Sequence, residues 1–213
     1  MNKSDSQPAA GAPGATRPAL PGADLVYFPD AGLAEPDDLL QRLLASVEWT
    51  QQTIRLFGKS HPQPRLEAWY GEPGASYSYS GIQHEPLPWN ADLLPLRRSV
   101  EAICGRRFNS VLLNWYRDGN DYMGLHADDE PELGNEPCIA SLSLGATRRM
   151  YFRHRRDATI GTFSLDLASG SLLIMQGATQ QNYKHGIRKT ARPCGPRINL
   201  TFRWVAARDD QRS

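Results

Sequence analysis

Residues 196–204, PRINLTFRW, constrain the fold more than any other stretch of the chain. Ile198, Leu200, Phe202 and Trp204 alternate with Arg197, Asn199, Thr201 and Arg203. Successive side chains of a strand point to opposite faces, so one face is predicted to be apolar and the other to carry two guanidinium groups. Such a strand either lies half-exposed with its arginines in water or lines a polar cavity where they hold an anion. Arginine suits a carboxylate because its planar fork donates two parallel hydrogen bonds. The segments NSVLLNWYRDG, CIASLSLGATRRMYFRHR and GTFSLDLASGSLLIMQG also read as strands, with turn signals at Asp118-Gly119 and Ser169-Gly170.

Upstream, residues 1–22 are rich in Ala, Gly, Pro and Ser and are expected to form a disordered tail. ADLVYFPD reads as a first strand. A helix is predicted in EPDDLLQRLLASVEW, with Leu39, Leu40, Leu43, Leu44 and Val47 at helical spacing, and a second in DLLPLRRSVEAICGRR. Residues 53–90 between them read as short strands and loops. Closely spaced strands after two helices predict an α+β, mostly β chain: an antiparallel sandwich or jelly roll with helices outside. Residues 23–107 are expected to form an N-terminal extension, 108–206 the core and 207–213 a C-terminal tail, with 23–206 a single structural domain.

MGLHADDEPELG, residues 123–134, sets His126 one residue from Asp128, which an extended strand would aim the same way. This is half a metal site, or a polar loop with a chance His-x-Asp. NYKHGIRK offers His185 as a third ligand, on a strand expected beside that of Arg197. Two histidines and one aspartate suit iron(II) and oxygen chemistry, or hydrolytic zinc. A zinc hydrolase has no need of an arginine-lined cradle. Asn114 and Tyr116 share a strand face by period two; they are either buried structural polar groups or, with Arg197 and Arg203, a pocket suited to a small dicarboxylate.

In NWY, LHADDE, KHG and PRINLTFR, occurring in this order, the chain resembles the AlkB family of iron(II)- and 2-oxoglutarate-dependent dioxygenases, which oxidatively dealkylate damaged nucleic acids. The resemblance runs from about Ile54 to Trp204. It implies a double-stranded β-helix with supporting helices and a nucleotide-recognition lid. It makes His126, Asp128 and His185 the iron ligands, and Asn114, Tyr116, Arg197, Asn199, Thr201 and Arg203 the 2-oxoglutarate pocket. Arg197 would meet the distal carboxylate and Arg203 the metal end. Six residues of strand span about 20 Å, more than the length of 2-oxoglutarate, so the two arginines must lean together or the strand must bend.

On the substrate side the resemblance assigns Asp129 to the target base, Tyr77, Ser78 and Tyr79 to the lid, and Phe57, Gly58 and Lys59 to a finger that fills the gap left by a flipped base. Tyr79 replaces the Phe found in similar members and keeps the ring. Aromatic faces can stack on an extruded base, and an aromatic wedge can occupy unstacked space in DNA. Arg148, Arg149, Arg153, Arg155 and Arg156, with Lys184, Arg188, Lys189 and Arg192, are candidate phosphate contacts.

The implied reaction consumes 2-oxoglutarate and O2 and converts 1-methyladenine- or 3-methylcytosine-type lesions in DNA, with RNA open, to restored base, aldehyde, succinate and CO2. Two rivals remain: a dioxygenase of the same fold acting on protein or a small molecule, and a protein that binds nucleic acid and 2-oxoglutarate without turnover. The net charge of +1 does not itself announce a nucleic-acid partner. The three cysteines are far apart and odd in number, which points to a reducing compartment. No apolar run suits a membrane span or a signal core. A cytosolic, nucleoid-associated or nuclear monomer is expected.

Overall fold

The computed structural model describes residues 14–56, 59–75, 77–79 and 82–206. In chain order the elements are β1 (Asp24–Phe28), α1 (Pro36–Ser46), β2 (Thr53–Leu56), β3 (Lys59–Pro62), β4 (Leu66–Gly71), β5 (Tyr77–Tyr79), β6 (Ile82–His84) and α2 (Leu93–Cys104). There follow β7 (Ser110–Tyr116), β8 (Met123–His126), β9 (Ile139–Gly145), β10 (Arg148–His154), β11 (Phe163–Leu167), β12 (Leu172–Gln176), the single turn α3 (Thr179–Asn182), β13 (Tyr183–Ile187) and β14 (Arg197–Arg203).

Proline in the first turn presets φ for α1, and Asp37 and Asp38 lie where the helix dipole favours acids. Asn90 Oδ1 accepts from the N–H groups of Asp92 and Leu93 at the start of α2. Gly105, at φ 63°, ends α2 in the left-handed conformation that glycine adopts without strain.

A six-stranded sheet runs β1-β12-β9-β14-β7-β4, and a four-stranded sheet runs β11-β10-β13-β8. Pairing within both is antiparallel. Two cores result. On the outer face of the large sheet, Leu39, Leu43, Leu93 and Val100 of the helices pack with Val111, Leu142, Leu200 and Phe202. Between the sheets, Tyr116, Ile139 and Leu173 meet Met150, Phe152 and Ile187. This is the jelly-roll arrangement expected from the sequence.

The alternation in β14 has a direct consequence. Ile198, Leu200 and Phe202 face the helices, so Arg197, Asn199, Thr201 and Arg203 face the sandwich interior, and every residue of the strand is buried. The arginine face is therefore not in water. Trp204 does not continue the apolar face: it lies beyond the strand end and is 52% exposed.

Two further expectations are corrected. The tail is shorter than composition implies, because Thr16 bridges Tyr27, Leu20 is buried, and the Pro21 carbonyl accepts from the Tyr183 hydroxyl. Residues 1–13 and 207–213, the rest of the predicted tails, lie outside the described residues. Residues 23–107 contribute β1 and β4, the edge strands of the large sheet. Finally, the strand of His185 is not beside that of Arg197. β13 pairs with β8 and β10 in the opposite sheet, so His185 meets the arginine face from across the sandwich.

Candidate active site

His126 and His185 are direct cross-strand partners at the edge of the small sheet. Their rings lie 4.4 Å apart. Asp128 sits just beyond the end of β8, and the ligating atoms of all three residues lie within 4.8 Å of one another. Gly186 explains why the two strands come so close here. A Cβ at this position would fall 2.8 Å from the Met123 carbonyl oxygen and 2.9 Å from that of Gly124. The pairing register shifts between His185 and Ile187 at the same place.

His126 Nδ1 lies 3.0 Å from the Gly124 carbonyl oxygen. An N–H there donates to that oxygen and leaves Nε2 with the lone pair a metal requires. His185 is held well below the usual histidine range, at about 3, first by burial and then by His126. Its ring is therefore neutral, the ligating form. Burial alone would raise the Asp128 carboxyl, but Arg203, His185 and His126 together hold it below the ordinary aspartate value. Arg203 Nη2 donates to Asp128 Oδ1 at 2.5 Å, while Oδ2 lies 3.7 Å from His185 Nε2. Asp128 is also fixed by its backbone, whose N–H donates to Gln180 Oε1 at 3.1 Å.

These shifts predict a pH dependence. In the unfolded chain His185 takes a proton near pH 6.5, whereas in the fold it resists one down to about 3. Across that window the unfolded state binds more protons, so folding stability falls as pH falls. The metal-free protein is expected to melt at progressively lower temperature below pH 6.5, and His185→Gln to flatten that dependence.

Behind the triad a small chamber is lined by Asn114, Tyr116, Asn199 and Thr201. Across the strands, Tyr116 pairs with Arg197 and Asn114 with Asn199. Arg197 is fully buried, and its Nη2 donates to Ser143 Oγ at 3.0 Å. Its Nε and Nη1 find no hydrogen-bond partner among the described residues. Burial lowers it to about 10, so it remains a cation at neutral pH. A buried guanidinium with two donors unused is what a carboxylate-bearing ligand would complete. The residues therefore fit 2-oxoglutarate at Arg197, and two neutral imidazoles with one carboxylate fit a divalent metal beside it. Arg203 engages the Asp128 carboxylate at one end of β14, and Arg197 lies at the other end of the same strand.

In front of the triad lies a wider cleft of about 300 Å³. Arg65, Glu67, Trp69, Glu85 and Glu130 line it, together with His126 and Asp128. Sequence reasoning missed Arg65 and Glu67. Arg65 Nε donates to Asn114 Oδ1 at 2.7 Å, and its Nη2 to Glu67 Oε2 at 3.3 Å. Arg65 thus occupies the carbonyl end of Asn114 and leaves the amide nitrogen to donate into the inner chamber. Arg65→Leu is expected to raise the 2-oxoglutarate half-saturation concentration by about tenfold or more, since a hydrogen bond to a charged group contributes about 1.5–3 kcal/mol. A 2-oxoglutarate titration at saturating substrate checks this.

The candidate substrate residues are placed unevenly. Asp129 does not line the cleft; its carboxylate is turned to Arg155. Phe57 and Gly58 lie outside the described residues. Lys59 begins β3, and Tyr77, Ser78 and Tyr79 form β5, paired with β6. Arg148 is not a phosphate contact. It is buried and donates to the carbonyl oxygens of Asp118, Asp121 and Arg188. Arg149 pairs with Asp166.

A family model described as the 2OG-Fe(II) oxygenase superfamily matches residues 27–203. "DNA oxidative demethylase ALKBH2" of Homo sapiens is 39% identical over 193 residues, covering 86% of this chain and 74% of that protein. "Alpha-ketoglutarate-dependent dioxygenase alkB homolog 3" of Bos taurus is 44% identical over 181 residues, covering 81% of this chain and 63% of that protein. A solved structure described as "The structure of OsALKBH1" matches with a TM-score of 0.64 at 17% identity, over 88% of this chain and 99% of that one, and supports the fold alone. The chain belongs to the AlkB family within the 2OG-Fe(II) oxygenase superfamily.

Proposed function

We propose that this chain is an Fe(II)- and 2-oxoglutarate-dependent dioxygenase that oxidatively demethylates N-alkylated bases in DNA, of the 1-methyladenine and 3-methylcytosine type. One observation carries the reading. His126 and Asp128 form part of the wall of two cavities at once, the inner chamber and the outer cleft. A metal held there would face a cosubstrate on one side and a base on the other.

Iron(II) and 2-oxoglutarate, when bound, supply an oxidant derived from O2 that hydroxylates the N-alkyl carbon. The protein's own residues do the rest. Arg197 and the polar wall of Asn114, Tyr116, Asn199 and Thr201 orient the dicarboxylate. Arg203 keeps Asp128 ionised and aimed at the metal. Glu85 and Glu130, beside the Arg65–Glu67 pair, put carboxylates on the cleft wall, which favours a base made cationic by alkylation. The hydroxylated product is a hemiaminal; its C–N bond breaks to give aldehyde and restored base, while 2-oxoglutarate leaves as succinate and CO2.

The reading is tested by incubating the protein with iron(II), 2-oxoglutarate and oligonucleotides bearing a single 1-methyladenine or 3-methylcytosine. Formaldehyde release from DNA supports it, and release from methylated peptides alone overturns it. RNA oligonucleotides in the same panel decide whether RNA is also a substrate. Action as a monomer is part of the proposal, and light scattering of the purified chain tests it. No helix among the described residues is long and apolar enough to cross a membrane. For an enzyme acting on DNA, we place it in the cytosol, with the nucleoid, or in a nucleus.

The Phe57-Gly58-Lys59 finger belongs to this proposal. Extruding a base from a duplex costs a few kcal/mol, and an aromatic wedge compensates for the lost stacking. A single strand incurs little of that cost. Phe57→Ala is therefore expected to lower turnover on duplex lesions much more than on single-stranded ones, with little change in melting temperature. Equal loss on both, with a large thermal shift, would make Phe57 a core residue instead.

A further inference from the structure

Asp128 stands just outside the sheet that presents the two histidines. β8 is the edge strand of the small sheet, and its pairing with β13 ends at His126. The backbone N–H of Asp128 finds its acceptor elsewhere, in Gln180 Oε1 at 3.1 Å. Gln180 is buried and belongs to α3, a turn of four residues. The next side chain, Gln181, donates through Nε2 to the Asn135 carbonyl at 2.7 Å. Two adjacent residues of α3 thus hold the segment 128–135 at both of its ends. A single turn is not stable by itself, and α3 is in turn held by residues 21–24. There the Ala23 N–H donates to the Leu20 carbonyl at 3.0 Å and closes a turn with Pro21 and Gly22 at its centre. Gly22 has φ 71°, the left-handed value that a type II turn requires at this position. The Pro21 carbonyl accepts from the Tyr183 hydroxyl at 2.6 Å, and the Gly22 carbonyl accepts from Asn182 Nδ2 at 2.7 Å. The Asp24 N–H donates to Thr179 Oγ1 at 2.9 Å, and that hydroxyl donates to the Gln176 carbonyl at 2.6 Å. The first and last residues of α3 are therefore both fixed from this segment. Tyr183 lies two residues before His185 on β13, and both are buried, so the same turn steadies the strand of a second candidate ligand.

We propose that the 20–24 turn and α3 form a brace that sets the metal affinity of the triad, with Gln180 as the positioning residue for Asp128. The proposal rests on the metal-site part of the reading above. Gln180 lines neither the chamber nor the cleft, so it acts through Asp128 alone. Arg203 aims the Asp128 carboxylate, but a carboxylate is placed only as well as its Cα is placed. Beyond His126 no ladder bond to β13 fixes that Cα, and Gln180 supplies the missing acceptor. A ligand whose backbone wanders must be ordered when the metal binds, and that ordering lowers affinity.

The test titrates the full, metal-free chain with Co(II) and follows its visible absorption, which reports affinity and ligand geometry together. Gln180→Leu keeps the volume and removes the acceptor. It is expected to weaken Co(II) binding by about tenfold or more and to alter the absorption band, as loss of a group that supports a ligand does. Leu93→Ala, in the outer core and away from the brace, serves as the control. It is expected to lower the melting temperature and to leave Co(II) affinity and the band unchanged. Gly22→Val attacks the brace from its far end. A β-branched residue is strained at φ 71°, and its Cβ would fall 3.0 Å from Asn182 Nδ2. This variant is expected to weaken Co(II) binding in the wild type and to do so less in the Gln180→Leu background, because contacts in one chain of bonds are coupled. Unchanged affinity and absorption in Gln180→Leu would overturn the brace, and so would a loss that Leu93→Ala reproduces at an equal thermal shift. A Gly22→Val loss of the same size in both backgrounds would overturn the link from the turn to Asp128. A wild type that binds no Co(II) would overturn the metal site itself, and the brace with it.

Discussion

Asp128→Asn is expected to leave the protein folded and to abolish both iron binding and turnover. The amide keeps the shape of the side chain and an acceptor for Arg203, but it removes the one negative charge among the three candidate ligands. Loss of a group that merely supports a ligand typically costs 10–100-fold in metal affinity or activity, so loss of the charged ligand should exceed about a hundredfold. Asp128→Ala adds a second penalty. The residue is 2% exposed and holds Arg203 at 2.5 Å. Removing one partner of such a buried pair costs about 3–5 kcal/mol in stability. The two variants together separate chemistry from folding. His126→Ala and His185→Ala should match Asp128→Asn in activity. Metal analysis of the purified variants with a succinate assay checks this, and near-normal iron content and turnover in any of them would remove that residue from the site.

Arg197 makes the opposite forecast for stability. Its guanidinium is fully buried, donates one hydrogen bond to Ser143 and leaves Nε and Nη1 unused. Without a ligand, that burial is a cost the fold carries. Arg197→Met fills similar volume without charge, and replacing buried ionic groups in this way is often neutral or stabilising, by about 1–4 kcal/mol. The variant is expected to melt no lower than the wild type in the absence of 2-oxoglutarate. It is also expected to lose the thermal stabilisation that 2-oxoglutarate gives, and its succinate production should fall sharply. Arg197→Lys keeps the charge but not the fork, so its half-saturation concentration for 2-oxoglutarate should rise by about tenfold or more while oligonucleotide affinity stays the same. Unchanged 2-oxoglutarate dependence in both variants would mean the chamber is structural.

How far the sequence reveals this site depends on the range of the interaction. Alternation in PRINLTFRW separates Arg197, Asn199, Thr201 and Arg203 from Ile198, Leu200 and Phe202, and the fold keeps that separation. Period two gives the face of a strand but not its sheet. It therefore suggests His185 beside Arg197, although β13 pairs with β8 in the opposite sheet. The same alternation distinguishes Arg148, buried and bound to three carbonyl groups, from exposed Arg149 next to it, but as an arginine pair they look alike. Arg65 and Glu67 belong to no motif. Their signal is that Arg65, Glu67 and Trp69 alternate with Leu66, Ala68 and Tyr70, which marks a polar face on a strand read only as part of a loop-rich region. Composition misjudges the tail because Thr16 and Leu20 are held by β1 and the sheet core, and two such residues are too few to change the local average.

A single metal site between a cosubstrate chamber and a base cleft is tested most directly by the ratio of two products. With iron(II), O2 and an oligonucleotide carrying a single 1-methyladenine, formaldehyde and succinate should form in equal amounts. Both should vanish in Asp128→Asn, and both should need far more 2-oxoglutarate in Arg197→Lys. Succinate formed at the same rate with and without the methylated oligonucleotide, and without formaldehyde, would contradict the account.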